Sequence, residues 1–119
     1  MTRDPRAAAM TEAELMEHIR DLVAGLGLLV HHAHDSRRSW GAGYPDLCIV
    51  GKAAVLWREC KTEHGSLTAE QRAWGHALQR AGQNWRIWRP RDLLDGSIGR
   101  ELATAAAVQL ELELFGAAP

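Results

Sequence analysis

The stretch Pro45-Asp46-Leu47-Cys48-Ile49-Val50, continued by Gly51-Lys52-Ala53 and by Ala54-Val55-Leu56-Trp57-Arg58-Glu59-Cys60-Lys61, decides the fold. Pro45 to Val50 reads as a short strand and Ala54 to Lys61 as a second one. Gly51-Lys52 between them is turn chemistry, so the pair makes a hairpin. Successive side chains on a strand point to opposite faces. Glu59 and Lys61 therefore project together, and Cys60 projects the other way. The hairpin brings Asp46 back alongside Glu59.

Upstream, Thr11-Glu12-Ala13-Glu14 has the spacing of a capping box. Leu15, Ile19, Leu22 and Val23 follow as a helical core stripe. Gly25 and Gly27 end that helix, and Leu28 to His32 reads as a strand. His31 to Tyr44 is a polar loop. Downstream, Thr68-Ala69-Glu70-Gln71 is a second capping box, opening a helix to Ala81 with Ala69, Ala73, Ala77 and Ala81 on one face. Gly82 stops it. Trp85 to Trp88 is a strand ended by Pro90, and a last helix starts near Ser97. Trp85 and Trp88 have opposite parity, one for each helix layer. The expected architecture is an α/β domain with a small mixed sheet flanked by helices. Residues 1–10 are expected to be a loose N-terminal arm, and residues 11–119 one domain.

The 119 residues are 46% hydrophobic and 24% charged, which excludes a disordered chain or a collagen-like one. No apolar run approaches the roughly 20 residues of a membrane helix. The first ten residues lack the apolar core of a signal peptide. Cys48 and Cys60 make no disulfide framework, so the expectation is an intracellular protein without a membrane contact. Net charge is −1, but twelve of the fourteen basic residues are arginine. Five of them (Arg72, Arg80, Arg86, Arg89, Arg91) lie between Gln71 and Arg91 with no acid among them. Such a run fits a nucleic-acid surface or a solvated helix face with ordinary surface strands.

Two carboxylates held close together repel and call for neutralisation. Mg²⁺ or Mn²⁺ with oxygen ligands supplies it, and Mg²⁺ uses one or two carboxylates and keeps several waters. Asp46 and Glu59 are the candidate ligands, and Lys61 is placed to aid an attacking water. That is chemistry for phosphodiester hydrolysis. The same spacing also fits a cross-strand Lys–Glu pair on a solvated sheet face. Glu12 heads the buried side of the first helix and is a candidate third acid, or a first-turn glutamate favoured by the helix dipole. Glu14 is the capping residue. Gln71 is a candidate contact to phosphate or to a metal-bound water, or the capping partner of Thr68. His32 or His34, with Arg37 and Arg38, is placed to line the nucleic-acid side, or these are loop histidines with no role. Trp40 is a candidate for stacking on a splayed base. No Cys-x2-Cys spacing supports zinc. Leu110, Leu112, Leu114 and Phe115 complete the core or form a homodimer contact.

Taken in order, Gly43-Tyr44-Pro45-Asp46-Leu47, Arg58-Glu59-Cys60-Lys61-Thr62 and Gly65-Ser66-Leu67-Thr68-Ala69-Glu70-Gln71 resemble the VRR-NUC nucleases of the PD-(D/E)xK superfamily. The resemblance runs from about Thr11 to Asp92 and includes Trp88-Arg89-Pro90. It is closest to the small stand-alone form of phages and bacteria. It implies a restriction-endonuclease-like fold over residues 11–119 and Mg²⁺- or Mn²⁺-dependent cleavage of DNA, often branched DNA such as Holliday junctions. It implies Asp46, Glu59 and Glu12 as metal-binding acids, the Cys60 backbone carbonyl as a further ligand, Lys61 beside the attacking water, and Gln71 as the motif glutamine. DNA contacts are expected from His32, Arg37, Arg38, Trp40 and Arg72. A homodimer would suit a two-fold symmetric junction. Cys60 stands where an aliphatic residue is expected, and a buried cysteine behaves as a small hydrophobe. The alternatives are a non-catalytic module on the same fold that binds branched DNA or a partner, and a hydrolase of RNA or nucleotides.

Overall fold

Nine elements follow one another in the computed structural model, which describes residues 4–33 and 40–108. They are α1 (Pro5–Ala9), α2 (Glu12–Leu26), β1 (Leu29–His32), β2 (Leu47–Val50), β3 (Val55–Cys60), α3 (Ala69–Arg80), β4 (Asn84–Trp88), α4 (Pro90–Leu94) and α5 (Ser97–Ala105). The strands form one mixed sheet in the order β1-β2-β3-β4. β1 and β2 are antiparallel, β2 and β3 form the hairpin, and β4 returns parallel to β3 through α3. The expected α/β architecture is the observed one.

Each boundary has a local cause. Thr11 and Glu14 close the capping box of α2, and Thr68 and Gln71 close that of α3. On the face toward α2 and α5, the core joins Leu15, Ile19 and Val23 to Leu47, Ile49, Leu56, Cys60 and Trp88, with Ile98 and Leu102 opposite. Each fully buried aliphatic side chain of this kind contributes roughly 1.5–3 kcal/mol. The other face meets α3. There Gly75 lies flat on Trp85, where a Cβ would sit 2.6 Å from the indole ring. Trp85 and Trp88 thus serve the two helix layers, as their parity requires.

Three expectations need correction. Residues 5–9 of the expected loose arm form a helix. The Asp4 side chain caps it, Pro5 stands at its first turn, and Ala7 is fully buried. Residues 90–94 are a further short helix, since proline suits a helix start as well as a strand end. The alanine stripe of α3 does share a face, but Ala69, Ala73 and Ala77 look outward and Gly75 faces the sheet. The segment carrying His34, Arg37 and Arg38, and the one carrying Leu110, Leu112, Leu114 and Phe115, lie outside the described residues.

Candidate metal centre and nucleic-acid interface

The site is built by the β2–β3 register. Leu47 pairs with Arg58, so Asp46 stands opposite Glu59, one step further along. The Asp46 backbone carbonyl accepts from Ala33 N at 2.9 Å, continuing the β1–β2 ladder and fixing the residue in place. Its Oδ2 accepts from the Cys60 amide at 2.8 Å. The carboxylate is thereby held across the end of β3.

Glu59 is 2% exposed. Its Oε2 accepts from Gln71 Nε2 at 3.1 Å, and its Oε1 is buried without a donor. Burial first, and then the adjoining Asp46 carboxyl, push the Glu59 carboxyl up to about 9. Lys61 pulls the other way, and the charge of Glu12 adds to the rise. The nearby Asp46 carboxylate repels charge on Glu59, which favours a proton on Glu59 or an added cation beside it.

Gln71 was a capping residue or a site residue on sequence grounds. It is both. Its backbone amide donates to Thr68 Oγ1 at 3.1 Å and its Oε1 accepts from Thr68 N at 2.9 Å. Only the amide nitrogen is left for Glu59. The capping box therefore fixes the direction from which Glu59 is approached.

Glu12 is exposed on the first turn of α2. Its field reaches Glu59 and Cys60, whereas Glu14 is held in the Thr11 cap. Of the two acids, Glu12 is the one electrically linked to the site. The Cys60 side chain is fully buried on the opposite sheet face, in the core, and burial raises its thiol well above the ordinary range. Only its backbone can serve the site. Among the described residues, no three His, Cys, Asp or Glu side chains converge as a metal-holding group. The converging pair is Asp46 and Glu59.

The segment after Lys61 has a support that the sequence reading missed. Arg89 Nη1 donates to the carbonyls of Thr62 at 2.7 Å, Gly65 at 2.8 Å and Glu63 at 3.3 Å. Glu63, 5% exposed, accepts from the Arg91 amide at 3.2 Å. The arginine directly before Pro90 was the available signal. Arg89 thus clamps the turn that carries the chain from Lys61 toward α3.

Trp40 is fully exposed. The loop that bears it is pinned to α3. Trp74 Nε1 donates to Ala42 O at 3.1 Å, and Tyr44 sets its ring edge-on to Trp74 at 5.0 Å and to Trp57 at 6.1 Å. Gly43 has φ +89° and lies so close to the Glu70 backbone that a Cβ would fall 2.4 Å from it. Arg72, exposed at the start of α3, donates to Leu67 O at 2.9 Å. His32 pairs with Leu47, next to Asp46, and lines a cleft between β1 and α2 with Met16, Arg20 and Leu47. The five-arginine run is not one surface. Arg72 and Arg80 are on α3, Arg89 turns onto carbonyls, and Arg86 and Arg91 lie 3.9 Å from Glu101 and Glu63.

No protein-family model matches the chain, and no curated protein matches it. The chain is an α/β domain with a mixed four-stranded sheet and two acids at the end of its central hairpin. A solved structure described as a VRR_NUC domain is similar to it, with a TM-score of 0.59, 20% identity, and coverage of 74% of this chain and 95% of that one. The chain has the fold of a VRR_NUC domain.

Proposed function

We propose that this protein is a Mg²⁺- or Mn²⁺-dependent DNA endonuclease, selective for DNA structure and directed at branched DNA such as four-way junctions. The observation that carries the reading is the buried Glu59 carboxylate, with one oxygen lacking a donor, set against Asp46 and held by Gln71. Two hard oxygen donors with surplus negative charge fit a divalent cation. Asp46, Glu59 and the Cys60 carbonyl would hold it, with Glu12 adding charge from α2. Such an ion acidifies water and stabilises charge on a phosphoryl oxygen. Lys61, on the Glu59 face, orients the attacking water, and Gln71 keeps Glu59 in one rotamer. Trp40 and Arg72 offer a stacking surface and a cation beside the site. The likeness to a VRR_NUC domain, together with the ordered motif set, supports the nuclease assignment.

Selectivity for structure follows from the surface available. Trp40 and Arg72 can bind unstacked bases and phosphates, but neither supplies a groove-reading element. In this reading the protein acts as a homodimer, which gives two cuts in a symmetric junction. The absence of a third side-chain ligand among the described residues favours one other reading, a branched-DNA binding module without turnover. Labelled four-way junction, flap, duplex and RNA substrates, incubated with Mn²⁺ and then compared for binding, separate the two. The nuclease reading expects metal-dependent cuts in the junction. Tight junction binding with intact DNA leaves the module.

A further inference from the structure

The sheet face opposite Asp46 and Glu59 carries a cavity of about 220 Å³, smaller than the clefts that take drug-sized ligands. Arg58, Arg86 and Arg100 all contribute to its wall, from β3, β4 and α5. Arg58 is buried completely. It donates to Asn84 O at 2.7 Å and to Glu101 Oε1 at 2.7 Å, stands 5.0 Å from the Trp88 ring, and keeps a buried Nε without a partner. Glu101 is the acid in the wall, and its Oε1 also accepts from Trp88 Nε1 at 3.2 Å. Past the rim, Asp95 has one oxygen taken by Ser97. Arg86 has only a long contact to Glu101, at 3.9 Å, and its side chain is 67% exposed. Arg100 is exposed and makes one bond to a carbonyl, at 3.3 Å.

The cavity therefore holds more positive charge than its own acid cancels, in a chain whose net charge is −1. Leu56 and Ala105 give it an apolar lining, which strengthens electrostatic attraction inside it. Arginines from two different elements, Arg86 on β4 and Arg100 on α5, border one small space, with the Arg100 guanidinium resting against the Asp95 carbonyl and Gly96, an arrangement suited to a tetrahedral oxyanion that draws on both. We propose that this cavity is a second anion site, which binds a phosphate group between Arg86 and Arg100 over the fixed Arg58–Glu101 pair. The phosphate comes either from a free phosphate compound or from a DNA strand wrapping past β4. The proposal does not depend on cleavage, because the two sites lie on opposite faces of the sheet.

The test is calorimetric titration of inorganic phosphate into metal-free protein, repeated with acetate. It includes Arg86→Gln, Arg100→Gln and the double variant, with Arg80→Gln at the exposed end of α3 as control. Arg86 and Arg100 are both exposed, so the variants keep the fold, which circular dichroism verifies. Saturable phosphate binding is expected, at least about tenfold weaker in each single variant and unchanged in Arg80→Gln. No saturable binding overturns the proposal, as does equal binding by the double variant or acetate bound as tightly as phosphate. A short single-stranded oligonucleotide then distinguishes the sources. Equal weakening of oligonucleotide and phosphate by the double variant assigns the site to DNA. Loss of phosphate binding alone assigns it to a free phosphate compound.

Discussion

Gln71 donates its side-chain amide to Glu59 at 3.1 Å while its side-chain oxygen caps α3 through Thr68 N at 2.9 Å. One residue thus ties a helix start to a buried carboxylate. A glutamine there is doubly determined, because the cap sets its rotamer and the rotamer sets the site.

Gln71→Ala is expected to lose the orienting bond to Glu59 as well as the reciprocal cap. Partners of metal ligands typically matter by about 10–100-fold in activity or metal affinity. The cap adds about 1 kcal/mol of stability. Gln71→Glu keeps an acceptor for the cap but places a third acid at Glu59, so it should be folded and more impaired in Mn²⁺-free stability above neutral pH. Cleavage rates and melting curves on both variants check this.

The raised Glu59 carboxyl predicts a pH dependence of stability. The unfolded chain releases that proton near its ordinary value of 4.5, while the metal-free fold keeps it to about 9. Across that window the folded state binds more protons than the unfolded one, so stability falls as pH rises. A divalent cation replaces the proton and removes the loss. Melting temperatures at pH 5.5 and 8.5, with EDTA and with Mn²⁺, test it. A metal-free protein that melts higher at pH 8.5 through this group would contradict the assignment. Glu59→Gln, which carries no charge, should flatten the profile and be more stable than the wild type at pH 8.5.

Arg89→Met leaves the carbonyls of Thr62, Glu63 and Gly65 without their shared donor. Unsatisfied groups of this kind cost about 1–3 kcal/mol each where they are buried. A loss of about 3 kcal/mol is expected, with a fall in activity because the turn following Lys61 loosens. Arg89→Lys should recover part of the stability and less of the activity. Urea unfolding and cleavage rates together report the two effects.

Gly75→Ala sets two effects against each other. Alanine is favoured in a helix by about 1 kcal/mol. The added Cβ would meet the Trp85 ring at 2.6 Å, and overpacking costs roughly 1–3 kcal/mol. The steric effect wins because the neighbour is a rigid indole, so net destabilisation is expected by chemical denaturation.

Trp40→Ala removes a fully exposed ring from a loop held by other residues. Stability should stay within about 0.5 kcal/mol. Affinity for junction or single-stranded DNA should fall by about tenfold, in the range of one lost base stack. Fluorescence anisotropy with both DNA forms measures it.

Much of this organisation was legible in the residues. Both capping boxes, the hairpin and the opposite parity of Glu59 and Cys60 follow from short-range rules, and the structure obeys them. The helix at Pro5–Ala9 was not legible, because its hold is tertiary: Ala7 is buried against other elements. The outward turn of the α3 alanines was hidden for a related reason. Small residues mark a close approach as readily as a core stripe, and here Gly75 takes the close approach. Arginine spacing gave a charge count but no direction. Arg58 and Arg89 turn inward onto carbonyls, and only long-range pairing decides that. His32 went to the α2 side because its partner Leu47 belongs to the core face.

The most direct test of the central claim is cleavage of a labelled four-way junction in Mg²⁺ or Mn²⁺, with Glu59→Gln alongside. The account predicts cuts by the wild type that EDTA abolishes, and a folded Glu59→Gln that binds the junction but leaves it intact. A wild type that binds the cation yet cuts no DNA, or a Glu59→Gln that cuts as well as the wild type, would contradict it.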